Sequence, residues 1–336
     1  MTEQPRRVSG SADALPPVEP PSAGFLVQLF VVPLTIVACG LFVVWGFYWL
    51  AQMGNDPESY VRALRRNNEG RWQVALNFAN DLRGPGGAAL KNDPALAGEL
   101  GSILADEVAS GRPAGSGHAA EQSRTLCAYL CRALGEFAIP EAATPLLARA
   151  GDASDPATAQ AAVEALAVLA SNLTVARRSF PDSAAVVAAL VGCSRSDVRP
   201  LRSAAAYALG VVGGPVALER LRELLDDGED DVRFNAAVGL ARHGAAIAWD
   251  TLGEMLDLPD VGSAAAEDRR AAADRYRRAM VVVNALKGVG LIVDATSAAP
   301  PGSITSRIAA LTDDPVPDVR AAAVALKRRI ERLDAS

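Results

Sequence analysis

Lysine and histidine are nearly absent from this chain of 336 residues. Lys91, Lys287 and Lys327 are its lysines, and His118 and His243 its histidines. No HExxH, CxxC or Cys/His cluster occurs, so no metal centre is expected. P-loop, GxSxG and dinucleotide fingerprints are missing too. Gly84-Pro85-Gly86-Gly87 is a linker rather than a phosphate cradle. With no catalytic constellation, neither an enzyme nor a cofactor is expected. The net charge is -6, whereas a nucleic-acid protein is normally basic on one face, so nucleic acid is not an expected partner. Alternation at period two and Asn-Gly turns are also missing, which argues against strands.

Charge itself is absent between Glu19 and Asp56. Within that window Phe25 to Ala51 is almost wholly apolar, about 27 residues against the roughly 18 that suffice to cross a bilayer core. A buried core helix of this length would show a polar stripe, and none is present. A cleaved signal peptide has an apolar region of about 7–15 residues and a small-residue cleavage site, which Phe47-Tyr48-Trp49-Leu50 does not supply. The segment therefore predicts a single transmembrane helix over 25–51, kinked or eased at Pro33. Trp45, Tyr48 and Trp49 are its expected membrane-interface residues. Arg62, Arg65 and Arg66 follow it more closely than Arg6 and Arg7 precede it. The positive-inside rule then predicts a cytoplasmic C-terminal domain. Cys127, Cys131 and Cys193 show no disulfide-framework pattern, in keeping with that side.

Residues 1–24 are Pro-rich, with too little apolar surface to offset ordering entropy, and are expected to be a disordered tail. Everything after the apolar segment is Ala- and Arg-rich, with apolar residues at three- and four-residue spacing. The helices recur. Leu201-Arg202-Ser203-Ala204-Ala205-Ala206-Tyr207-Ala208-Leu209-Gly210 is echoed about 31 residues later by Val232-Arg233-Phe234-Asn235-Ala236-Ala237-Val238-Gly239-Leu240-Ala241. Pro215 opens a second helix after the first copy. Ala133-Leu134-Gly135 followed by Pro140, and Asp318-Val319-Arg320 before Ala321, extend the phrase upstream and downstream. A period near 31 with two helices each predicts an all-α chain: an α-solenoid preceded by a single transmembrane helix. Ala should let paired helices approach, and Leu134, Leu209 and Leu240 should fill the seam. The following Gly is expected to turn the backbone left-handed at a helix end. Arg202, Arg233 and Arg320 are expected to bond to acidic side chains or carbonyls of neighbouring repeats.

These phrases resemble the short HEAT repeats of phycobilisome-lyase-like proteins. The resemblance covers roughly Ser123 to the C-terminus, within an expected solenoid of residues 119–336, and departs from the pattern at Ser171 to Pro181 and in Ala264 to Ser303. Residues 52–118 fit the architecture without the signature and are expected to be juxtamembrane helices or an N-terminal cap. One branch of HEAT-like enzymes holds a di-iron centre on His-Glu pairs, which this chain lacks. The apolar span and the solenoid's extended surface together point to a membrane-anchored scaffold that binds another, membrane-associated protein. Glu219, Arg222, Glu223 and Glu254 on second helices are the candidate partner-facing residues. Two other readings stay open: a lyase- or isomerase-like activity on a bound chromophore, and an accessory subunit of a membrane complex. The Arg269, Arg270, Arg275, Arg277 and Arg278 cluster is read as a solvated helix face, or as a contact for anionic headgroups or an acidic partner.

Overall fold

The computed structural model describes residues 23–53, 57–66, 68–152, 154–259 and 269–334. They form helices and no strand, and divide into two units, residues 1–55 and 56–336. The expected tail over 1–24 lies almost wholly outside the described residues.

The first unit is one helix, α1 (Ala23–Met53). Its Val27–Phe47 stretch has a mean hydropathy of 2.5, and none of it is buried in the structure. Pro33 lies inside the helix and cannot donate its backbone hydrogen bond. Two residues on, the Thr35 hydroxyl donates to the Val31 carbonyl at 2.7 Å. By length and composition alone, α1 can cross a membrane. Two other helices pass the same test, at Pro156–Val175 and Arg269–Thr296, but half or more of each is buried.

In the second unit, α2 (Pro57–Arg65) packs on α3 (Arg71–Arg83) and α4 (Pro94–Ala109). Five helical pairs follow: α5 (His118–Gly135) with α6 (Ala143–Ala150), α7 (Pro156–Val175) with α8 (Ser183–Cys193), α9 (Arg199–Val212) with α10 (Pro215–Leu224), α11 (Asp230–Ala241) with α12 (Trp249–Leu256), and α13 (Arg269–Thr296) with α14 (Gly302–Ala310). The last helix is α15 (Pro317–Asp334). First helices pack on first helices in the order α3, α5, α7, α9, α11, α13, α15. Second helices contact along α4, α6, α8 and α10, and again between α12 and α14. Two layers of parallel-stacked helices result, the arrangement of an α-solenoid. Helices α3 and α4 take the same places in these layers as the later pairs.

Local chemistry starts the helices where the sequence places Asp and Pro. Asp93, Asp155 and Asp182 accept from the backbone N–H groups of Ala95, Thr158 and Ala185 at 2.8–3.1 Å, satisfying donors that the helix leaves open. Pro94, Pro156, Pro200 and Pro215 sit in first turns, where their missing N–H costs nothing. Leu134, Leu209 and Leu240 are fully buried, as are most of the alanines facing them.

The glycines behave differently from the expectation. Gly135 and Gly210 lie inside helices without positive φ; the left-handed turns fall at Gly213, Gly214 and Gly244. Inside the helices the missing side chain serves close approach. A Cβ on Gly135 would lie 2.9 Å from the Cα of Ala165, and one on Gly239 2.9 Å from the Cα of Gly210.

Arginines bridge the repeats. Arg202 donates backward to the Ser196 carbonyl (2.8 Å) and forward to the Asp227 carboxylate (2.8 Å). Arg233 does the same with the Asp227 carbonyl (3.0 Å) and Glu254 (2.6 Å). Arg320 reaches back to the Asp314 carbonyl at 2.6 Å. Two members were not singled out by sequence for this role. Arg71 joins the Leu64 carbonyl (2.6 Å) to Glu107 (2.7 Å), and Arg278 joins the Leu258 carbonyl (2.9 Å) to Asp314 (2.7 Å). Arg278 is therefore no surface cation: it and Asp314 are both buried. Of the expected basic face, Arg277 is exposed and paired with Asp274 at 3.5 Å.

Candidate functional site

The four expected partner-facing residues are engaged within the chain. Glu219 and Arg222 pair with each other at 2.7 Å, one turn apart on α10, with both side chains exposed. Glu223 pairs with Arg220 (2.5 Å), whose guanidinium also donates to the Ser194 hydroxyl and carbonyl. Glu254 belongs to the inter-repeat arginine ladder. Trp45 is exposed on α1, while the side chains of Tyr48 and Trp49 lie outside the described residues.

A different feature stands out in the second-helix layer. The α8 sequence Ser-Ala-Ala-Val-Val-Ala-Ala-Leu-Val-Gly-Cys carries no charged residue. A helix apolar all round is normally buried, yet only Val186, Leu190 and Cys193 of α8 are buried. By contrast, α10 and α12 carry charged residues on their exposed positions. The open face of α8 (Ala184, Val187, Ala188, Val191) lines a groove of about 830 Å³. Its other wall is the end of α9, the Gly213-Gly214-Pro215 turn and Val216, which is 63% exposed. Its volume lies in the usual range of ligand sites, roughly 300–1,000 Å³.

The segment that departs from the repeat pattern closes one end of this groove. Helix α7 continues through Val175, so the residues from Ser171 onward are partly helix rather than loop. It ends with Arg177 in the left-handed region at φ 56°, while the Arg178 N–H reaches back to the Leu173 carbonyl at 2.8 Å. Phe180 then tucks into the core. The Arg178 side chain donates to the Asn92 side-chain oxygen (2.9 Å) and the Ala138 carbonyl (2.7 Å), both neutral. Arg195 lines the opposite end, beyond the C-terminus of α8, and pairs with no carboxylate among the described residues. The lining has hydroxyls and these two guanidiniums, but no Asp, Glu, His or Cys. The signal in the sequence was the uncharged run 183–193; so short an apolar run reads equally well as an ordinary buried helix.

Buried polar groups elsewhere are structural. Cys127 and Cys131 are fully buried in the core, and burial pushes the Cys127 thiol up to about 12 and the Cys131 thiol higher still. Among the described residues no group of three or more His, Cys, Asp or Glu side chains could hold a metal ion. Glu107 is buried between Arg71, Arg112 and Ser123.

A family model described as HEAT repeats matches residues 169–241. Over this stretch the chain is similar to HEAT repeats. The stretch runs from α7 to α11 and contains both α8 and the turn that walls the groove. No curated protein matches the chain. Among solved structures the chain is similar to an engineered protein (17% identity, 83% of this chain and 98% of the other, TM-score 0.34). It is also similar to human deoxyhypusine hydroxylase in complex with glycerol (18%, 82% and 96%, 0.32) and to Escherichia coli YibA (13%, 85% and 96%, 0.34). At such identities and scores these likenesses carry nothing about function.

Proposed function

We propose that the chain is a membrane-anchored scaffold that holds a protein partner on its HEAT-repeat solenoid. The observation that carries the anchoring is Val27–Phe47, uncharged, long enough to span and with none of it buried. Left in water, such a surface would be an aggregation liability; in a bilayer nearly all of its side chains, Gln28 apart, suit the hydrocarbon core. The stacked repeats supply the binding half of the proposal, because solenoids present extended surfaces. Tethering would raise the solenoid's effective concentration near other membrane proteins. We place the solenoid on the cytoplasmic side, on the strength of the arginines that follow α1 more closely than those that precede it. A chromophore-directed activity is less well supported, because the α8 groove offers neither a Cys or His nucleophile nor paired acids.

Fractionation tests the anchor. Full-length protein should stay with membranes through alkaline carbonate and leave them only with detergent. A protein released by carbonate alone would refute it. Protease added to sealed inverted vesicles should degrade the solenoid if it faces the cytoplasm.

A further inference from the structure

We infer that the α8 groove receives an amphipathic helix of a partner protein, with acidic residues at both ends of its apolar face. This deepens the scaffold reading and rests on its binding half, not on the anchor. Three features point to that occupant. The groove floor is a helix without a charge, open along Val187, Ala188 and Val191, the complement of the apolar stripe that helix-in-groove partners present at i, i+3, i+4 and i+7. The site is concave, bounded by Val216 on the neighbouring pair, which suits a cylinder better than a planar bilayer surface. The charged residues that line it are of one sign: Arg178, bonded only to neutral oxygens, and Arg195, with no carboxylate partner among the described residues, while the Asp182 carboxylate beside them is taken up in capping α8. In a chain of net charge -6, a groove ended by arginine on both sides is a local reversal.

The geometry sets the spacing. Between the two ends, α8 from Ser183 to Cys193 advances about 15 Å at 1.5 Å per residue, so carboxylates some three turns apart on a partner helix would meet the two guanidiniums. Such rim pairs contribute specificity and association rate more than affinity. The apolar face between them supplies most of the binding.

The test uses full-length protein in detergent and three probes. The first is a fluorescein-labelled helical peptide with leucines at i, i+3 and i+7 and glutamates at both ends of that stripe. The second carries lysines in place of the glutamates, and the third is oleate. The glutamate peptide should bind, and the lysine peptide at least about tenfold more weakly. Arg195→Glu should narrow or reverse that preference, a shift of roughly 1.4 kcal/mol per tenfold. Ala188→Asp, at an exposed position that leaves the core untouched, should abolish binding of both. Equal binding of the two peptides, binding of neither, or displacement of a bound peptide by oleate alone would overturn the inference. A bimane label at Ala188→Cys, in a Cys39→Ser background, should shift blue on adding the glutamate peptide. A blue shift in phosphatidylglycerol nanodiscs without peptide would assign α8 to the lipid surface and also sink it. Since binding in detergent does not require a bilayer, a failed carbonate experiment would leave this result standing.

Discussion

Gly210 on α9 and Gly239 on α11 face each other backbone to backbone, so close that a Cβ on Gly239 would lie 2.9 Å from the Cα of Gly210. Neither atom is the end of a flexible side chain, so neither can yield without moving a helix. Gly239→Ala should therefore cost about 1–3 kcal/mol through overpacking, even though Ala is the better helix former by up to about 1 kcal/mol. Gly192 on α8 meets nothing within 4 Å, and Gly192→Ala should be neutral or stabilising. Urea denaturation of the two variants, measured in the same detergent, checks the contrast.

The arginine ladder predicts a second contrast. Asp314 is buried with Arg278, and its carbonyl also receives Arg320. Asp314→Ala strands a buried guanidinium and should cost about 3–5 kcal/mol. Glu219→Ala removes only an exposed pair within one helix, and should change stability by less than about 0.5 kcal/mol. Equal effects in denaturant titrations would mean that the ladder is incidental to stability.

Much of this fold was legible because an Ala-rich phrase repeated every 31 residues or so leaves few alternatives to stacked helical hairpins. The glycine assignments went astray for a physical reason: a Gly near a phrase's end looks the same whether it turns the backbone or admits a neighbouring helix. Only the packing of α9 on α11 tells them apart. Arg278 read as part of a basic face because its partners, Leu258 and Asp314, are 20 and 36 residues away. The α8 groove was missed because an uncharged 11-residue helix announces burial, and sequence alone does not say that one side stays open.

Thiol chemistry gives a third test. Cys127 and Cys131 are shut in the core, and burial holds both thiols protonated far above neutral pH, so the reactive thiolate is scarce as well as inaccessible. Iodoacetamide at pH 8 should leave both unmodified in folded protein and modify them at the rate of global unfolding when urea is added. Cys193, whose Sγ donates to the Ala150 carbonyl at 3.1 Å, should be similarly protected. Rapid labelling of Cys127 in native protein would show that the α3–α5–α7 packing opens locally.

Acid should unpick the Glu107 cluster in a defined window. Burial pushes this carboxyl up, but hydrogen bonds from Arg112, Ser123 and Arg71 outweigh burial and hold it at about 2. A folded-state value below the unfolded one, near 4.5, means that the unfolded chain takes up the proton first as pH falls. The stabilisation is therefore complete above about pH 4.5 and is lost on descending towards pH 2, to the extent of roughly 3 kcal/mol. Glu107→Gln keeps the shape and removes the charge. Its deficit relative to the natural protein should be greatest near neutrality and shrink steadily below pH 4.5, which denaturant midpoints at a series of pH values can follow. A deficit that stays constant down to pH 2.5 would mean that Glu107 contributes by its hydrogen-bonding pattern alone, with no net gain from its charge.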